Sequence, residues 1–425
     1  MHSRDVKRKT NKSKAALSGK SGRAYVAGTF DTKARELCYL RDCLVKQGIE
    51  VTLVDLSTSA AEASPDADIA ASSVATFHAM GAAAVFTGER ASAVAAMAEA
   101  FAHFLRSRDD LGGIISAGGS GATALATPAM RGLPVGVPKV MVSTIASGDV
   151  RPHVGSSDIA MIYPVTDISG LNPISRKVLA NAAGALAGMM RAEPIAGDKE
   201  KPAIGLTMFG VTTPCVQAVT RLLEADHDCI VFHATGSGGR SFEMLAGSGF
   251  FAGVLDITTT EIADEIAGGV LTAGPERLDV FASHAIPYVG SVGALDMANF
   301  WAMDTVPAHL RGRLLHIHNA NVTLMRTTGE ENARIGRFIA EKLNRMNGAV
   351  RFLLPMKGVS ALDQDGQPFF DRQADAALFA AIEENFHDTS THRLIKLPYH
   401  INDPQFAEAL AQSFREITSG EPADR

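Results

Sequence analysis

The sequence predicts an α/β protein with two Rossmann-like domains, each a mainly parallel sheet flanked by helices, and a ligand cleft between them. The chain has 425 residues, which exceeds the ~250 to 300 residues at which a single hydrophobic core stops growing. Short apolar runs alternate with helical patterns along both halves, as is typical of parallel sheets covered by helices. Residues 191–201 interrupt this alternation with charge and proline. We therefore expect a domain boundary there.

The predicted N-terminal domain covers residues 23–195. It follows a basic segment, residues 1–22, for which we predict a disordered tail because it lacks an apolar pattern. Apolar runs that predict strands lie at 24–27, 51–56, 84–87, 113–117, 139–144 and 158–165. The last helix of the domain is expected to begin at Asn172-Pro173, since asparagine caps helices and proline fits the first helical position.

The predicted C-terminal domain covers residues 202–418 and repeats the alternation. Its strand candidates are 203–208, 230–232, 253–257, 287–292, 314–317, 350–354 and 394–397. A helix is expected to open at Thr213-Pro214, and Thr328 and Glu331 have the spacing of a capping box at the start of another. Helical patterns at 329–346, 371–386 and 404–416 complete this half.

Composition narrows the class of partner. A net charge of −6 gives no general attraction to nucleic acid or to an anionic membrane, so we expect a small-molecule ligand. The longest apolar run falls short of the ~18 residues that a membrane span needs. The four cysteines lack the spacing of a zinc site. We read them as reduced thiols, which indicates a cytoplasmic protein.

A glycine-rich turn follows the strand candidate at 113–117. It has the sequence GGSGAT, and its candidate ligand-binding residues are Gly119, Ser120, Gly121 and Thr123. A turn of this kind between a strand and a helix presents backbone N–H groups to an anion, usually a phosphate. The acidic residue that a dinucleotide site needs about twenty residues later is missing, which disfavours a nicotinamide cofactor. The alternative is that the glycines serve only a tight turn.

A second glycine-rich turn, TGSGGR, follows the run at 230–232 and resembles the first in its GSG core. The guanidinium of arginine suits phosphate oxygens, and the histidine before the turn is a candidate catalytic donor, although a lone histidine in a strand is more often structural. The candidate residues here are His233, Thr235, Gly236, Ser237, Gly238, Gly239 and Arg240. The two related turns predict that two similar domains face a common ligand.

A third turn, GTFDTK, follows the first strand candidate, and its candidate cofactor-binding residues are Gly28, Thr29, Asp31, Thr32 and Lys33. It lacks the second glycine of a P-loop. Lys33 nevertheless has the charge to contact a phosphate, and Asp31 has the oxygen ligands that magnesium prefers. The alternative is an ordinary helix start capped by Asp31 or Thr32.

The segment LDITTTE places Asp256 at a strand end, where a magnesium or catalytic role is expected. Thr258 and Glu261 have capping-box spacing, so Glu261 is expected to bond back to the cap. Cys215 lies in the first turn of a predicted helix, where the helix dipole lowers a thiol pKa, and it is a minor candidate for a nucleophile.

These segments in this order resemble the tomato mosaic virus resistance protein-like ATP-binding family. The resemblance covers about residues 23–414 and rests on GTFDTK, GGSGAT, GLNPISR, TMFGVTTPC, VFHATGSGGR, LDITTTE, AGPERL, HNANVTLMRTT and HIND. It implies two Rossmann-like domains, bound ATP with Mg²⁺, and a homodimer. Ala122 departs from the family pattern, in which a further glycine is expected.

The leading hypothesis is an ATP- and Mg²⁺-binding cytosolic enzyme for phosphoryl or nucleotidyl transfer, with the nucleotide and an unidentified small molecule in the interdomain cleft. Such chemistry consists largely of positioning and charge neutralisation. Magnesium is assigned to Asp31 or Asp256, and catalysis to Asp256, His233 and Lys33. The alternatives are a non-catalytic, nucleotide-dependent interaction module and a lyase or hydrolase that acts on a small phosphorylated acid.

Overall fold

A computed structural model describes residues 22–59, 64–193, 195 and 201–419. The chain divides into two compact units, Met1–Ile195 and Ala196–Arg425. Each contains a parallel sheet flanked by helices, so the predicted fold class is confirmed. The predicted tail, apart from Gly22, lies outside the described residues. No helix among the described residues is long and apolar enough to cross a membrane.

The N-terminal unit is built on a five-stranded parallel sheet with the strand order β2-β1-β3-β4-β5. Its strands are β1 (Arg23–Gly28), β2 (Val51–Asp55), β3 (Leu111–Gly118), β4 (Lys139–Ser143) and β5 (Ala160–Ile162). Its helices are α1 (Phe30–Lys46), α2 (Ala71–Ala75), α3 (Arg90–Arg106), α4 (Ser120–Arg131), α5 (Arg151–Val154) and α6 (Pro173–Arg191).

Alternation along the strands divides the core of this unit between the two faces of the sheet. Val26 and Ile115 pack on one face against α1 and α6. Ala27 and Ile114 point the other way and pack against α3 and α4. The helices that follow β1 and β3 therefore leave the sheet on opposite sides.

The helix start predicted at Asn172-Pro173 is confirmed. The Asn172 side chain accepts hydrogen bonds from the backbone of Ile174 and Ser175, and α6 begins at Pro173. The strand predicted at residues 84–87 is wrong, because residues Ala82–Ala84 form a 3₁₀ turn instead. Gly81 and Gly88 both have positive φ, and the residues between them form turns and bends instead of an extended strand.

The C-terminal unit contains a six-stranded parallel sheet, ordered β14-β13-β9-β8-β6-β7, and a three-stranded sheet, ordered β10-β12-β11. Its strands are β6 (Ala203–Met208), β7 (Asp228–His233), β8 (Gly253–Thr258), β9 (Tyr288–Gly293), β10 (Met297–Phe300), β11 (Leu315–Asn319), β12 (Val322–Arg326), β13 (Val350–Pro355) and β14 (His392–Leu397). Its helices are α7 (Thr213–Leu223), α8 (Ser237–Gly247), α9 (Thr260–Ala267), α10 (Val280–Ser283), α11 (Gly329–Leu343), α12 (Arg372–Asn385) and α13 (Pro404–Ser419).

The strand predicted at 314–317 exists as β11, but it pairs antiparallel with β12 and belongs to the small sheet. The helix predicted at Thr213-Pro214 is confirmed. The capping box is also confirmed: the Thr328 hydroxyl accepts from the Glu331 backbone, and the Glu331 carboxylate accepts from the Thr328 backbone.

When strands are counted within each sheet, the five-stranded sheet has the order second, first, third, fourth, fifth, and the six-stranded sheet has the same order with a sixth strand added at the end. The order reverses between the first and third strands, β1 and β3 in one sheet and β6 and β8 in the other. The two GSG turns, however, follow β3 and β7, which are a third and a second strand. The similarity of the turns in sequence therefore does not reflect equivalent positions in the two sheets.

Candidate functional site

The candidate site lies at the carboxyl edge of the N-terminal sheet. β1 and β3 are parallel neighbours, with Ala27 paired to Ser116, so the turns that follow them open at the same edge. Because the strand order reverses here and α1 and α4 leave on opposite faces, the edge has a natural crevice. In open α/β sheets ligands bind at such switch points.

The turn after β3 leaves backbone donors unpaired. α4 begins at Ser120, and its N-cap residue, Gly119, has no side chain to accept from the first turn. The first backbone bond of the helix runs from Thr123 N–H to the Gly119 carbonyl. Among the described residues, the N–H groups of Ser120, Gly121 and Ala122 have no protein acceptor. Three donors at the positive end of a helix dipole attract an anion.

Arg90 adds a positive charge beside this turn. A β-carbon placed on Gly121 would lie 3.6 Å from Nη2 of Arg90. Arg90 is exposed, and its guanidinium has no acceptor or acidic partner among the described residues. Arg90 is the first residue of α3, whose start is capped by the Glu89 carboxylate through the backbone N–H groups of Ala91 and Ser92. The sequence gives no signal for Arg90, which the fold alone brings to Gly121.

Other residues of this turn have structural roles. The Thr123 hydroxyl is fully buried and bonds to the Gly119 carbonyl at 2.9 Å and to the Ser143 hydroxyl at 2.7 Å. Thr123 therefore holds the turn, and its buried hydroxyl is turned towards these protein partners and away from a ligand in solvent. A β-carbon on Gly118 would lie 2.5 Å from that of Ala122. Because Gly118 has no side chain, there is room for the methyl group of Ala122, the residue that replaces the glycine expected from the family pattern.

Most backbone N–H donors of the turn after β1 find acceptors at the end of β2. The N–H of Phe30 donates to Asp55 at 3.1 Å, and the N–H of Asp31 donates to the Ser57 hydroxyl at 3.1 Å. Ser57 in turn donates to Asp55 at 2.5 Å. These two acceptors, which the sequence did not reveal, occupy the first donors of α1. The predicted phosphate-binding role of this backbone is therefore not supported.

Several side chains of the same turn form hydrogen bonds within the protein. Thr29 and Thr32 bond to each other through their hydroxyls at 2.8 Å, and Asp31 accepts from Ser59. The N-cap is Thr29, without a side-chain cap bond, so the capping roles predicted for Asp31 and Thr32 are wrong. Gly28 is needed because a β-carbon there would lie 2.9 Å from Leu37.

Lys33 is the cation that this turn contributes. Its φ of −130° and ψ of 15° break the helical geometry of α1, and its ammonium group has no acceptor among the described residues. The structure thus places Lys33 and Arg90 on elements that flank the crevice between β1 and β3.

The turn after β7 differs from its prediction. The backbone N–H groups of Gly236 and Gly239 donate to one carboxylate oxygen of Glu261, at 2.6 and 3.0 Å. Glu261 is buried, so the protein's own carboxylate fills the position assigned to a phosphate. A β-carbon on Gly238 would overlap the His233 carbonyl. The glycines of this turn therefore serve packing and an internal anion.

The remaining residues of that turn also differ from the prediction. Ser237 is the first residue of α8 and is exposed, and the Thr235 hydroxyl donates to the His233 carbonyl at 3.2 Å. Arg240 donates to the Thr272 carbonyl at 3.1 Å. The imidazole of His233 packs on Phe209, with ring centroids 5.3 Å apart, and partial burial lowers its pKa.

Asp256 does not face solvent as a magnesium ligand would. It is fully buried, and its carboxylate accepts from Arg277 at 2.8 Å, from Thr207 at 2.7 Å and from Tyr288 at 3.0 Å. The metal and catalytic roles predicted for Asp256 are therefore corrected to a structural one. Every carboxylate oxygen already has a donor, so a magnesium ion would have to displace one.

Arg277 organises the charges around Asp256. Its guanidinium bonds to three carboxylates, those of Asp256, Glu243 and Glu261. Burial raises the pKa of Glu243 and of Glu261 above the usual value, although Arg277 opposes the rise. The predicted capping box of Glu261 is wrong, because this carboxylate bonds to the glycine turn and to Arg277.

The switch point of the C-terminal sheet is closed by its own threonines. The hydroxyls of Thr212 and Thr258 bond to each other at 2.7 Å, and the Thr259 hydroxyl donates to the Ser291 carbonyl at 3.0 Å. All three residues are fully buried. Cys215, at the start of α7, is also buried, and burial raises the pKa of its thiol to about 12, which contradicts a nucleophilic role.

No group of three or more histidine, cysteine or acidic side chains is placed to hold a metal ion within the described ranges. Of the two carboxylates predicted to bind magnesium, Asp31 remains beside the N-terminal crevice. A magnesium ion that is held mainly by phosphate oxygens and water needs only one or two protein carboxylates. Asp31 fits that type of site, but not a site whose ligands all come from the protein.

The fold and the site define a two-domain α/β protein whose N-terminal sheet presents unpaired backbone donors at its switch point. Residues 22–194 match the N-terminal domain, and residues 201–418 the C-terminal domain, of the Uncharacterised protein family (UPF0261). The chain belongs to this family.

Relatives match along nearly the whole chain. A UPF0261 protein of Rhizobium meliloti is 56% identical over 93% of this chain and 99% of its own length. A UPF0261 protein of Brucella suis is 34% identical over 94% of this chain and 97% of its own length. The ToMV resistance protein Tm-1(GCR237) of Solanum lycopersicum is 42% identical over 95% of this chain but only 57% of its own length.

Proposed function

We propose that the protein binds ATP with Mg²⁺ through its N-terminal domain, with the phosphates on the turn Gly119–Gly121. The observation that carries the proposal is the set of three unpaired N–H groups at the start of α4. Backbone donors of this kind stay unsatisfied in the free protein only where solvent or a ligand accepts from them.

The side chains around the crevice suit a polyphosphate. Arg90 offers a guanidinium fork, which bonds to phosphate oxygens with two parallel donors. Lys33 contributes a second positive charge from the opposite side of the switch point, and Asp31 contributes a carboxylate for a phosphate-bound magnesium ion. Two cations and a helix dipole together offset the charge of a triphosphate.

The reaction we propose is phosphoryl or nucleotidyl transfer to a small carboxylate, by a cytoplasmic homodimer. Lys33 is the residue that would stabilise charge on the transferred group, since this chemistry depends on positioning and charge neutralisation. The second candidate is a nucleotide-dependent interaction module. It is favoured by the name of the tomato relative, a resistance protein, and it predicts nucleotide binding without turnover.

Calorimetric titration of MgATP into the full chain tests the proposal. Arg90→Gln removes a charge-assisted bond worth about 1.5–3 kcal/mol, so affinity should fall roughly 10- to 150-fold. Gly121→Val should also weaken binding by placing a side chain over the donors. A β-carbon at this position meets only an ordinary 3.6 Å contact, so the variant should still fold.

Two substitutions serve as controls. Arg106→Gln removes an arginine at the other end of α3, about 24 Å away along the helix, and Gly188→Ala fills open space on α6. Both should bind MgATP like the wild type. Absence of binding by the wild type would refute the function, and equal affinity in wild type and Arg90→Gln would refute the site.

A further inference from the structure

A small cavity of the C-terminal domain lies beside the buried charges around Arg277. Its volume is about 180 Å³, and it is lined by Arg240, Glu243, Ala273, Glu276 and Arg277. A cavity of about 150 Å³ holds a benzene molecule, so this one accommodates a ligand of roughly six to eight non-hydrogen atoms.

The wall formed by α8 carries two opposite charges that do not pair with each other. Arg240 and Glu243 are three residues apart on one helix and therefore lie on the same face. No ion pair joins them within the described residues. The Arg240 guanidinium makes one bond, to the Thr272 carbonyl, which leaves the rest of its fork open.

Glu243 has one occupied and one open carboxylate oxygen. Its Oε1 accepts from Arg277 at 2.8 Å and from the Leu278 backbone at 2.6 Å. Its Oε2 has no donor among the described residues, although the side chain is only 15% exposed. This oxygen is therefore available to the N–H donors of a ligand that enters the cavity.

The charges behind Glu243 favour a cation at that oxygen. Arg277 is shared by three buried carboxylates, which leaves an excess of negative charge on this side of the cavity. Glu276 adds a further carboxylate at the rim. Arg240 provides the opposite charge a short distance along the helix.

The backbone is strained where this wall is held in place. Leu278 is buried and has a φ of +79°, an unfavourable value for a branched side chain. Its N–H is the group that donates to Glu243. Strain of this kind persists only where the surroundings over-determine it, and it clusters at binding sites.

We propose that the cavity binds a small α-amino acid, with the ammonium group on Glu243 Oε2 and the carboxylate on the guanidinium of Arg240. An α-amino acid carries both charges on adjacent carbons, which matches two opposite side chains one helical turn apart. Alanine has six non-hydrogen atoms and fits the volume, whereas tryptophan exceeds it.

Ligand-observed NMR on the nucleotide-free full chain, with L-alanine as probe, tests the site independently of ATP binding. L-alanine should bind, while propylamine and propionate, which each carry only one of the charges, should bind at least tenfold more weakly. L-tryptophan should not compete. Failure of L-alanine to bind, or equal binding of either half-ligand, would overturn the proposal.

Variants locate the site. Glu243→Gln keeps an acceptor for Arg277 and Leu278 but places an NH₂ group where the ammonium would bind, so affinity should fall at least tenfold. Arg240→Gln acts on an exposed residue, leaves the fold intact and should have the same effect. Arg337→Gln, on the exposed side of α11, is the matched control and should bind normally. Wild-type affinity in Arg240→Gln would refute the assignment even if Glu243→Gln did not fold.

Discussion

Replacing Asp375 by asparagine should change how the stability of the C-terminal domain depends on pH. Asp375 belongs to a second buried charge cluster, in which Arg326 donates to its Oδ1 at 2.7 Å. Asp296 and Asp363 lie in the same cluster, and each has a buried carboxylate oxygen without a partner. Three carboxylates thus share one guanidinium, and burial with the neighbouring Asp363 charge raises the pKa of Asp375 to about 8.

The sign and size of the effect follow from this pKa. An aspartate in the unfolded chain has a pKa of about 3.9, so between about pH 4 and pH 8 the folded state holds a proton that the unfolded state has lost. The contribution of Asp375 to the free energy of unfolding is complete below about pH 4. It falls by about 1.4 kcal/mol per pH unit and is lost once the pH passes about 8.

Asparagine imitates the protonated acid, because it keeps the acceptor for Arg326 and carries a donor in place of the proton. The variant should therefore match the wild type near pH 4, and be more stable by about 1.5 kcal/mol at pH 5 and by about 4 kcal/mol at pH 7. Urea unfolding is followed by the fluorescence of Trp301, the single tryptophan of the chain. Asp365→Asn, at an exposed residue, is the control. A stability difference that does not change with pH would refute the raised pKa of Asp375.

Three further predictions concern local packing. Gly238→Ala should lower the free energy of unfolding by about 3 kcal/mol or more, because its methyl group would overlap the His233 carbonyl. The control Gly210→Ala adds a methyl group in open space and should change the free energy of unfolding by less than about 1 kcal/mol. Paired urea titrations measure both. Cys215 should resist iodoacetamide in the native protein and react after unfolding, because its thiol is buried with a raised pKa. Labelling of Cys215 in the native protein, detected by peptide mass spectrometry, would contradict this. Thr328→Ala should cost about 1 kcal/mol through loss of the capping box, and an unchanged urea midpoint would contradict that role.

Local patterns were sufficient to predict most of the fold. The helix starts at Asn172 and Thr328 follow from residues within one turn of each other, and the alternation of strands and helices follows from apolar spacing alone. The strand predicted at 84–87 was wrong because an apolar segment between two glycines has the composition of a strand, although no neighbouring strand pairs with it. Of the hairpin formed by β11 and β12, only β11 was predicted, as the run at 314–317, and β12 was missed because the turn lies inside a single polar-apolar segment.

The candidate site was less predictable, because it depends on contacts between residues distant in sequence. All three glycine-type turns look alike as sequence, yet Asp55 and Ser57 satisfy the first, and Glu261 satisfies the last. Among the described residues of these three turns, the one at Gly119 keeps three successive N–H groups without a protein acceptor, those of Ser120, Gly121 and Ala122. Which N–H groups remain unpaired is decided by neighbouring strands, and Arg90 likewise approaches Gly121 only through the packing of α3 on α4.

The internal bond between Glu261 and the glycine turn affects the edge of the C-terminal sheet. β7 is an outer strand and pairs only with β6, a position from which strands commonly fray. The glycine turn at its end, however, donates to Glu261 in the first turn of α9, and Glu261 in turn bonds to Arg277; both side chains are buried. Opening this edge would expose paired buried charges. The outer strand is thereby anchored from its end, and the amides of Gly236 and Gly239 should exchange with solvent as slowly as those of the central strands.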